Sequence, residues 1–137
     1  MFGISSGVVL ALDVVACGLL ITKVALYEPS FNLEESARPA SEAYTEQLTA
    51  LLAEGRRGDA VARGMTTFGA PAEVVAGMRQ APVWPSFESV APTLAYDNAI
   101  TGDGSMPVER MESVTAPTLV IDGGASPACA PWRGSSS

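Results

Sequence analysis

The sequence predicts an α/β fold with two parallel core strands and a mainly helical remainder. An apolar helix over about residues 6–19 leads into a short strand over 23–27, which is half of a βαβ unit. A second compact apolar run, residues 117–121, is rich in β-formers and typical of a buried parallel strand. Because two strands do not form a stable sheet alone, we expect neighbouring strands to be needed to complete it.

The helical remainder follows from apolar spacing and from residues that start or end helices. Ser41 is predicted to cap a helix that runs to about residue 54, where Gly55 ends it. A second helix starts at the Gly58-Asp59 pair and runs to about residue 67. Pro71 suits the first turn of a third helix, which runs to about residue 80. The fourth covers about residues 85–100 and should be interrupted by its internal proline.

Four regions follow from this order of elements. Residues 1–28 hold the first helix and core strand, and residues 29–106 hold the helices just described. Residues 107–127 supply a short helix, which starts at Pro107, and the second core strand. Residues 128–137 end in glycine and three serines and are expected to be a disordered tail.

Composition excludes several classes of function. The net charge is −7 and the chain has one lysine, so we expect no nucleic-acid partner, because phosphates attract Lys and Arg. Its two cysteines, Cys17 and Cys129, are far apart, and no spacing of ligand residues suggests a metal site. We therefore expect no metal ion and no cofactor. The chain has no histidine, so it cannot supply the imidazole base of a Ser–His pair.

The chemistry-bearing motif is Gly3-Ile4-Ser5-Ser6-Gly7, which matches G-x-S-x-G. In a nucleophile elbow this motif turns sharply from a strand into a helix and exposes the serine hydroxyl. The N–H after the serine, here that of Ser6, points towards the site where an oxyanion develops. The same five-residue pattern also occurs in ordinary turns before helices. Its interpretation as a nucleophile elbow therefore depends on the helix and the strand that follow it.

With those neighbours the chain resembles the α/β-hydrolase fold family. Residues 3–29 are similar to the elbow, its helix and the next strand of that family, and residues 117–124 resemble a later core strand. The helices between them are similar to an inserted cap over an active site. The resemblance implies a partial α/β-hydrolase fold, with two parallel core strands and a mainly helical cap. It also implies that the strand feeding the serine turn is absent, since only Met1 and Phe2 precede Gly3.

The resemblance implies a role for particular residues. Ser5 corresponds to the nucleophile of a serine hydrolase and the Ser6 N–H to one oxyanion donor. The family's acid often follows the later strand, where residues 123–127 of this chain contain no acid. Asp122 stands one residue before that glycine pair, and its interpretation as a residue that caps the turn is favoured over catalysis. Trp84 and Tyr96 are candidate substrate-binding residues under the cap, although aromatic residues at helical spacing are more often core.

The function implied is hydrolysis of an ester, an amide or a related bond in a small molecule through an acyl-enzyme, with this chain inactive alone for lack of histidine. The alternative is a membrane-anchored or non-catalytic helical interaction protein. Residues 14–17 loosely resemble a lipobox, but no basic segment precedes the apolar run, and Asp13 within it opposes insertion by about 3 kcal/mol. We expect a cytoplasmic protein, with membrane binding disfavoured and self-association through exposed strand edges open.

Overall fold

The structure is a computed structural model that describes residues 1–31 and 38–123. In chain order, the elements are β1 (Phe2–Ile4), α1 (Ser6–Ala16), β2 (Val24–Tyr27), α2 (Arg38–Ala53), α3 (Arg57–Thr67), α4 (Ala72–Met78), α5 (Trp84–Val90), α6 (Thr93–Thr101), α7 (Val108–Glu112) and β3 (Thr118–Ile121). They cluster into two units. The described residues of the first are 1–31 and 104–123, and those of the second are 38–103.

The first unit is a parallel sheet with the order β1-β2-β3. Helix α1 connects β1 to β2 and packs on one face of the sheet. Its side chains form a core with two residues of β2, Val24 and Leu26, each only 3% exposed. The buried residues of α1, among them Val8 and Leu12, recur at helical spacing. One side of the helix therefore faces the sheet.

The number of strands differs from the prediction. Both predicted core strands are present as β2 and β3, and β1 is a third strand that the sequence reasoning counted as absent. Three residues suffice because β1 pairs along its whole length with β2. The pairing extends one residue beyond it, since the Ala25 N–H donates to the Met1 carbonyl at 3.0 Å. The N-terminal ammonium also donates to the Lys23 carbonyl at 2.8 Å.

The second unit is helical and confirms most of the predicted breaks. Gly55 has a φ of 71° just after α2, and Pro92 separates α5 from α6. The prediction that Ser41 caps α2 was wrong, because the helix already begins at Arg38. Pro39 is compatible with that earlier start. Backbone N–H groups in the first turn have no partner within the helix, so the N–H that proline lacks is not needed there.

The start of α3 also differs from the prediction. The helix begins at Arg57, and no side chain caps it. Asp59 lies in its first turn and pairs with Arg56 at 2.9 Å. Two buried clusters hold the helices together, one around Tyr44 and Leu48 and one that includes Trp84.

Several predictions fall outside the described residues. These are the disordered tail over residues 128–137, Cys129, and residues 124–127 of the turn after β3. Residues 32–37 of the connection before α2 also lie outside them. Within the described part of the chain, no helix combines the length and the apolarity needed to cross a bilayer.

Candidate active site

Ser5 lies in the turn between β1 and α1, in a conformation that non-glycine residues seldom adopt. Its φ is 51° and its ψ is −121°, which lies outside the left-handed helical region as well as the common ones. Two backbone bonds fix the turn. The Ser5 N–H donates to the Tyr27 carbonyl at 3.1 Å, and the Val8 N–H donates to the Ser5 carbonyl at 2.9 Å. The exposed serine therefore sits on a strained turn at the carboxyl end of a parallel strand.

The two glycines of the motif have different roles. A Cβ on Gly3 would overlap the carbonyl oxygen of Gly7 and would lie 2.9 Å from the Gly7 carbonyl carbon and 3.0 Å from the Val8 Cα. All three atoms belong to the backbone and cannot rotate away. A Cβ on Gly7 would meet nothing within 4 Å. Gly3 is therefore required for close packing of β1 against α1, whereas the position of Gly7 has room for a side chain.

The N-terminus of α1 creates a positive electrostatic potential at this turn. Ser6 is the first residue of the helix, where backbone N–H groups carry the positive end of the helix dipole. The first turn contains no acidic residue, and the side chain of the capping residue Ser5 makes no hydrogen bond to the helix. Negative charge that develops next to Ser5 is therefore favoured by this end of the helix.

Glu28 lies beside the Ser5 turn, and its position could not be read from the sequence. It follows β2 and has a φ of 52°, and among the described residues it and Ser5 are the non-glycine residues with positive φ. The register places Ile4 opposite Tyr27, so the two strained residues follow adjacent strands at the same edge of the sheet. The Gly123 N–H donates to Glu28 Oε1 at 2.7 Å, and the Glu28 N–H donates to the Ile121 carbonyl at 2.9 Å.

Glu28 thus ties the end of β2 to the turn after β3. A Cβ on Gly123 would lie 2.7 Å from Glu28 Oε1, so the glycine permits this approach. Asp122, which the sequence predicts to cap this turn, is exposed. The available sequence signal was an acid before a proline at a strand end, but only the pairing of β2 with β3 shows what the carboxylate reaches.

The two aromatic candidates occupy different environments in the helical unit. Trp84 is 6% exposed and lies in a buried cluster, where its Nε1–H donates to Glu88 Oε1 at 3.1 Å and the Arg79 guanidinium lies 5.6 Å from the ring centroid. Tyr96 is 67% exposed on α6. Trp84 is therefore part of a core, and contact of either residue with a substrate stays a prediction.

Several charged side chains, among them Arg56, Asp59 and Arg79, line an open cavity of about 520 Å³ at the start of α3. Asp59 accepts hydrogen bonds from Arg79 at 2.5 Å and from Arg56 at 2.9 Å. These bonds, with the Arg79 bond contributing most, hold the pKa of Asp59 below its usual value. In residues 1–31 and 38–123, no group of three or more His, Cys, Asp or Glu side chains is placed to hold a metal ion.

The chain is similar in sequence and in fold to a solved protein structure. That structure is an alpha/beta hydrolase from Sphaerobacter thermophilus DSM 20745, and its sequence is 51% identical to this chain, with a TM-score of 0.80. The similarity covers 93% of this chain and 50% of the solved one, so the chain spans half the length of that protein. No family model and no curated protein matches the chain.

Proposed function

We propose that this chain, which has the α/β-hydrolase fold over most of its length, carries the nucleophile of a serine hydrolase. The observation that supports the proposal is the backbone of Ser5, a non-glycine residue at φ 51° between a parallel strand and an apolar helix. Such a conformation costs about 1–3 kcal/mol and persists where the surrounding structure enforces it, which is common at catalytic sites. The strand pairing of β1 and the close approach at Gly3 are what enforce it here.

The proposed reaction is acyl transfer to water. The Ser5 Oγ attacks the carbonyl carbon of an ester, an amide or a related bond, and a base accepts the hydroxyl proton. Negative charge on the former carbonyl oxygen is stabilised by the Ser6 N–H and by the positive end of α1. Collapse of the tetrahedral intermediate expels the alcohol or amine and leaves an acyl group on Ser5, which water then releases. The fold does not choose among the bond types.

The base is what this chain does not supply. It contains no histidine, and an unassisted serine hydroxyl is a poor nucleophile at neutral pH. Loss of one member of a catalytic triad typically lowers the rate by about 10⁴ or more. We therefore expect the chain alone to give no measurable turnover of an activated ester. No cofactor enters this chemistry.

The helical unit has a proposed role as a cap that contributes substrate contacts. Tyr96 is the better placed of the two aromatic candidates for direct contact, because its side chain is exposed. Trp84 is more suited to support such a surface from within the unit, because it is buried and hydrogen-bonded.

Slow covalent labelling tests the nucleophile without requiring turnover. The chain is incubated for hours with a fluorophosphonate, and the labelled serine is identified by peptide mass mapping. We expect Ser5 to be modified ahead of other serines in the folded chain, because the Ser6 N–H and the positive end of α1 remain beside it, and we expect this preference to disappear in urea. Ser5→Ala should abolish the preferred label, whereas Ser6→Ala should retain it, since Ser6 acts through its backbone. Equal labelling of all serines in the folded chain would count against the proposal.

A further inference from the structure

The Ser5 turn, the residues after β2 and the turn after β3 lie side by side at the carboxyl edge of the sheet. The register puts Ile4, Tyr27 and Ile121 in one row across the three strands. Ser5 and Glu28 follow that row, and each donates its backbone N–H to the last carbonyl of the neighbouring strand, at 3.1 Å and 2.9 Å respectively. At this edge the Ser5 turn is therefore joined to β2, and β2 is joined to β3.

The peptide group between Tyr27 and Glu28 takes part in both of these bonds. Its carbonyl oxygen accepts a hydrogen bond from the Ser5 N–H, and its own N–H donates to the Ile121 carbonyl. Because a peptide group is planar and rigid, a rotation of this group changes both bonds together. The backbone position of Ser5 is therefore sensitive to whatever holds this one peptide group in place.

The side chain of Glu28 is one of the groups that hold it. Glu28 has a φ of 52°, a conformation that costs free energy in a residue other than glycine. Its Oε1 accepts a hydrogen bond from the Gly123 N–H at 2.7 Å, and its own N–H donates to the Ile121 carbonyl. These two bonds close a ring between Glu28 and residues 121–123. A charged acceptor makes a stronger hydrogen bond than a neutral one, so the bond to the carboxylate offsets part of the strain.

We propose that Glu28 is a positioning residue for Ser5. Its bond to Gly123 fixes the peptide group after Tyr27, against which the serine turn is held. The inference rests on the proposed function, since it takes Ser5 as the nucleophile. Without the bond, Glu28 relaxes from its positive φ, and the rotation turns the Tyr27 carbonyl away from the Ser5 N–H. The Ser5 Oγ then shifts relative to the Ser6 N–H, and a misplacement of about 1 Å can lower a reaction rate by about 10²-fold.

Two substitutions remove the bond from opposite sides. Glu28→Ala deletes the acceptor, and Gly123→Ala places a Cβ 2.7 Å from Glu28 Oε1 and so displaces the carboxylate. If one bond is responsible, combining the two substitutions has no further effect, whereas two independent losses would add. Glu28→Gln keeps an oxygen acceptor and should restore most of the wild-type behaviour. Asp122→Ala is the matched control, because it removes an exposed carboxylate at the same edge of the sheet.

Two measurements on the full chain follow the position of Ser5. Nuclear magnetic resonance gives the exchange rate of the Ser5 amide hydrogen, which is bonded to the Tyr27 carbonyl, and this rate depends on no reaction. The rate of fluorophosphonate labelling gives the reactivity of the Ser5 hydroxyl. In Glu28→Ala, in Gly123→Ala and in their combination, we expect the Ser5 amide to exchange at least about fivefold faster and the label to form at least about fivefold more slowly. Wild-type exchange of the amides in the middle of α1 shows that a variant is folded, and Gly123→Ala carries the test if Glu28→Ala loses that protection.

The outcomes separate positioning from catalysis. Changes in both measurements that Glu28→Gln reverses, and that Asp122→Ala does not produce, support the proposal. If the Ser5 amide responds but the wild type shows no preferred label, the positioning of the turn is retained and the nucleophile role of Ser5 is contradicted. The positioning proposal is overturned if the Ser5 amide does not respond, or if Ser5 is labelled preferentially and at the same rate in the wild type and in Glu28→Ala. It is also overturned if the effects of Glu28→Ala and Gly123→Ala add.

Discussion

Replacing Gly3 with alanine tests how closely the serine turn brings β1 and α1 together. The new Cβ would overlap the Gly7 carbonyl oxygen and would lie 2.9–3.0 Å from two further backbone atoms of α1. Carbon atoms in contact prefer about 3.5–4.0 Å, so the helix must move by roughly 0.5–1 Å. Overpacking of this kind costs about 1–3 kcal/mol, partly offset by the better strand propensity of alanine. We expect a net loss of about 1–2 kcal/mol.

Gly7→Ala is the matched control within the same motif. Its Cβ meets nothing within 4 Å, and Gly7 lies in the first turn of α1. Alanine is a better helix former than glycine by about 0.5–1 kcal/mol, so this variant should be as stable as the wild type or more stable.

Amide hydrogen exchange measured by mass spectrometry reads these changes in the sheet unit directly. A loss of about 1–2 kcal/mol corresponds to roughly 5- to 30-fold faster exchange of the α1 and β2 peptides in Gly3→Ala. In Gly7→Ala the same peptides should exchange at an unchanged rate or up to about fivefold more slowly. Equal effects of the two substitutions would refute the reasoning, because it assigns the steric demand to one glycine alone.

Three other predictions concern single side chains. Glu28→Ala should speed exchange of the Gly123 amide, whereas Glu28→Gln, which keeps an oxygen acceptor, should speed it less; identical rates in all three proteins would exclude the bond. Trp84→Ala should destabilise the helical unit by about 3–5 kcal/mol in urea titrations followed by circular dichroism, with Trp84→Phe costing less; a loss under about 1 kcal/mol would contradict its burial. The pKa of Asp59 is lowered in the folded chain, chiefly by the hydrogen bond from Arg79. The ionised carboxylate therefore stabilises the fold above the pKa that Asp59 has in the unfolded chain, and this stabilisation is lost as the pH falls through the lower pKa of the folded chain. Asp59→Asn should flatten this acid dependence in urea midpoints measured at several pH values, and an unchanged dependence would argue against the ion pair.

Elements with strong local signals could be predicted from the sequence. Pro92 was expected to interrupt a helix and separates α5 from α6, and Gly55 was expected to end a helix and has the positive φ that favours glycine. Glycine and proline act through their own backbone conformation, so the local sequence is enough to predict where they end or interrupt a helix. Strand β1, which spans Phe2–Ile4, had no such signal, because three residues are too few to show an alternating pattern.

The site was predictable only in part. The motif placed Ser5 at a strand-to-helix turn, and the structure gives that residue a strained backbone. The difference between Gly3 and Gly7 could not be predicted, because it depends on the distance between β1 and α1. The bond from Gly123 to Glu28 joins residues 95 positions apart, so it needs the register of β2 against β3.

The strain at Ser5 is the physical basis for assigning this residue as a nucleophile, and comparing Ser5→Gly with Ser5→Ala measures it. Both variants remove the hydroxyl, but only glycine relieves a backbone at φ 51° and ψ −121°. In hydrogen exchange of the α1 peptide, Ser5→Gly should be more stable than Ser5→Ala by about 1 kcal/mol or more, which is roughly fivefold slower exchange. If Ser5→Ala proves as stable as Ser5→Gly or more stable, the turn is relaxed, and the assignment of Ser5 as a nucleophile loses its support.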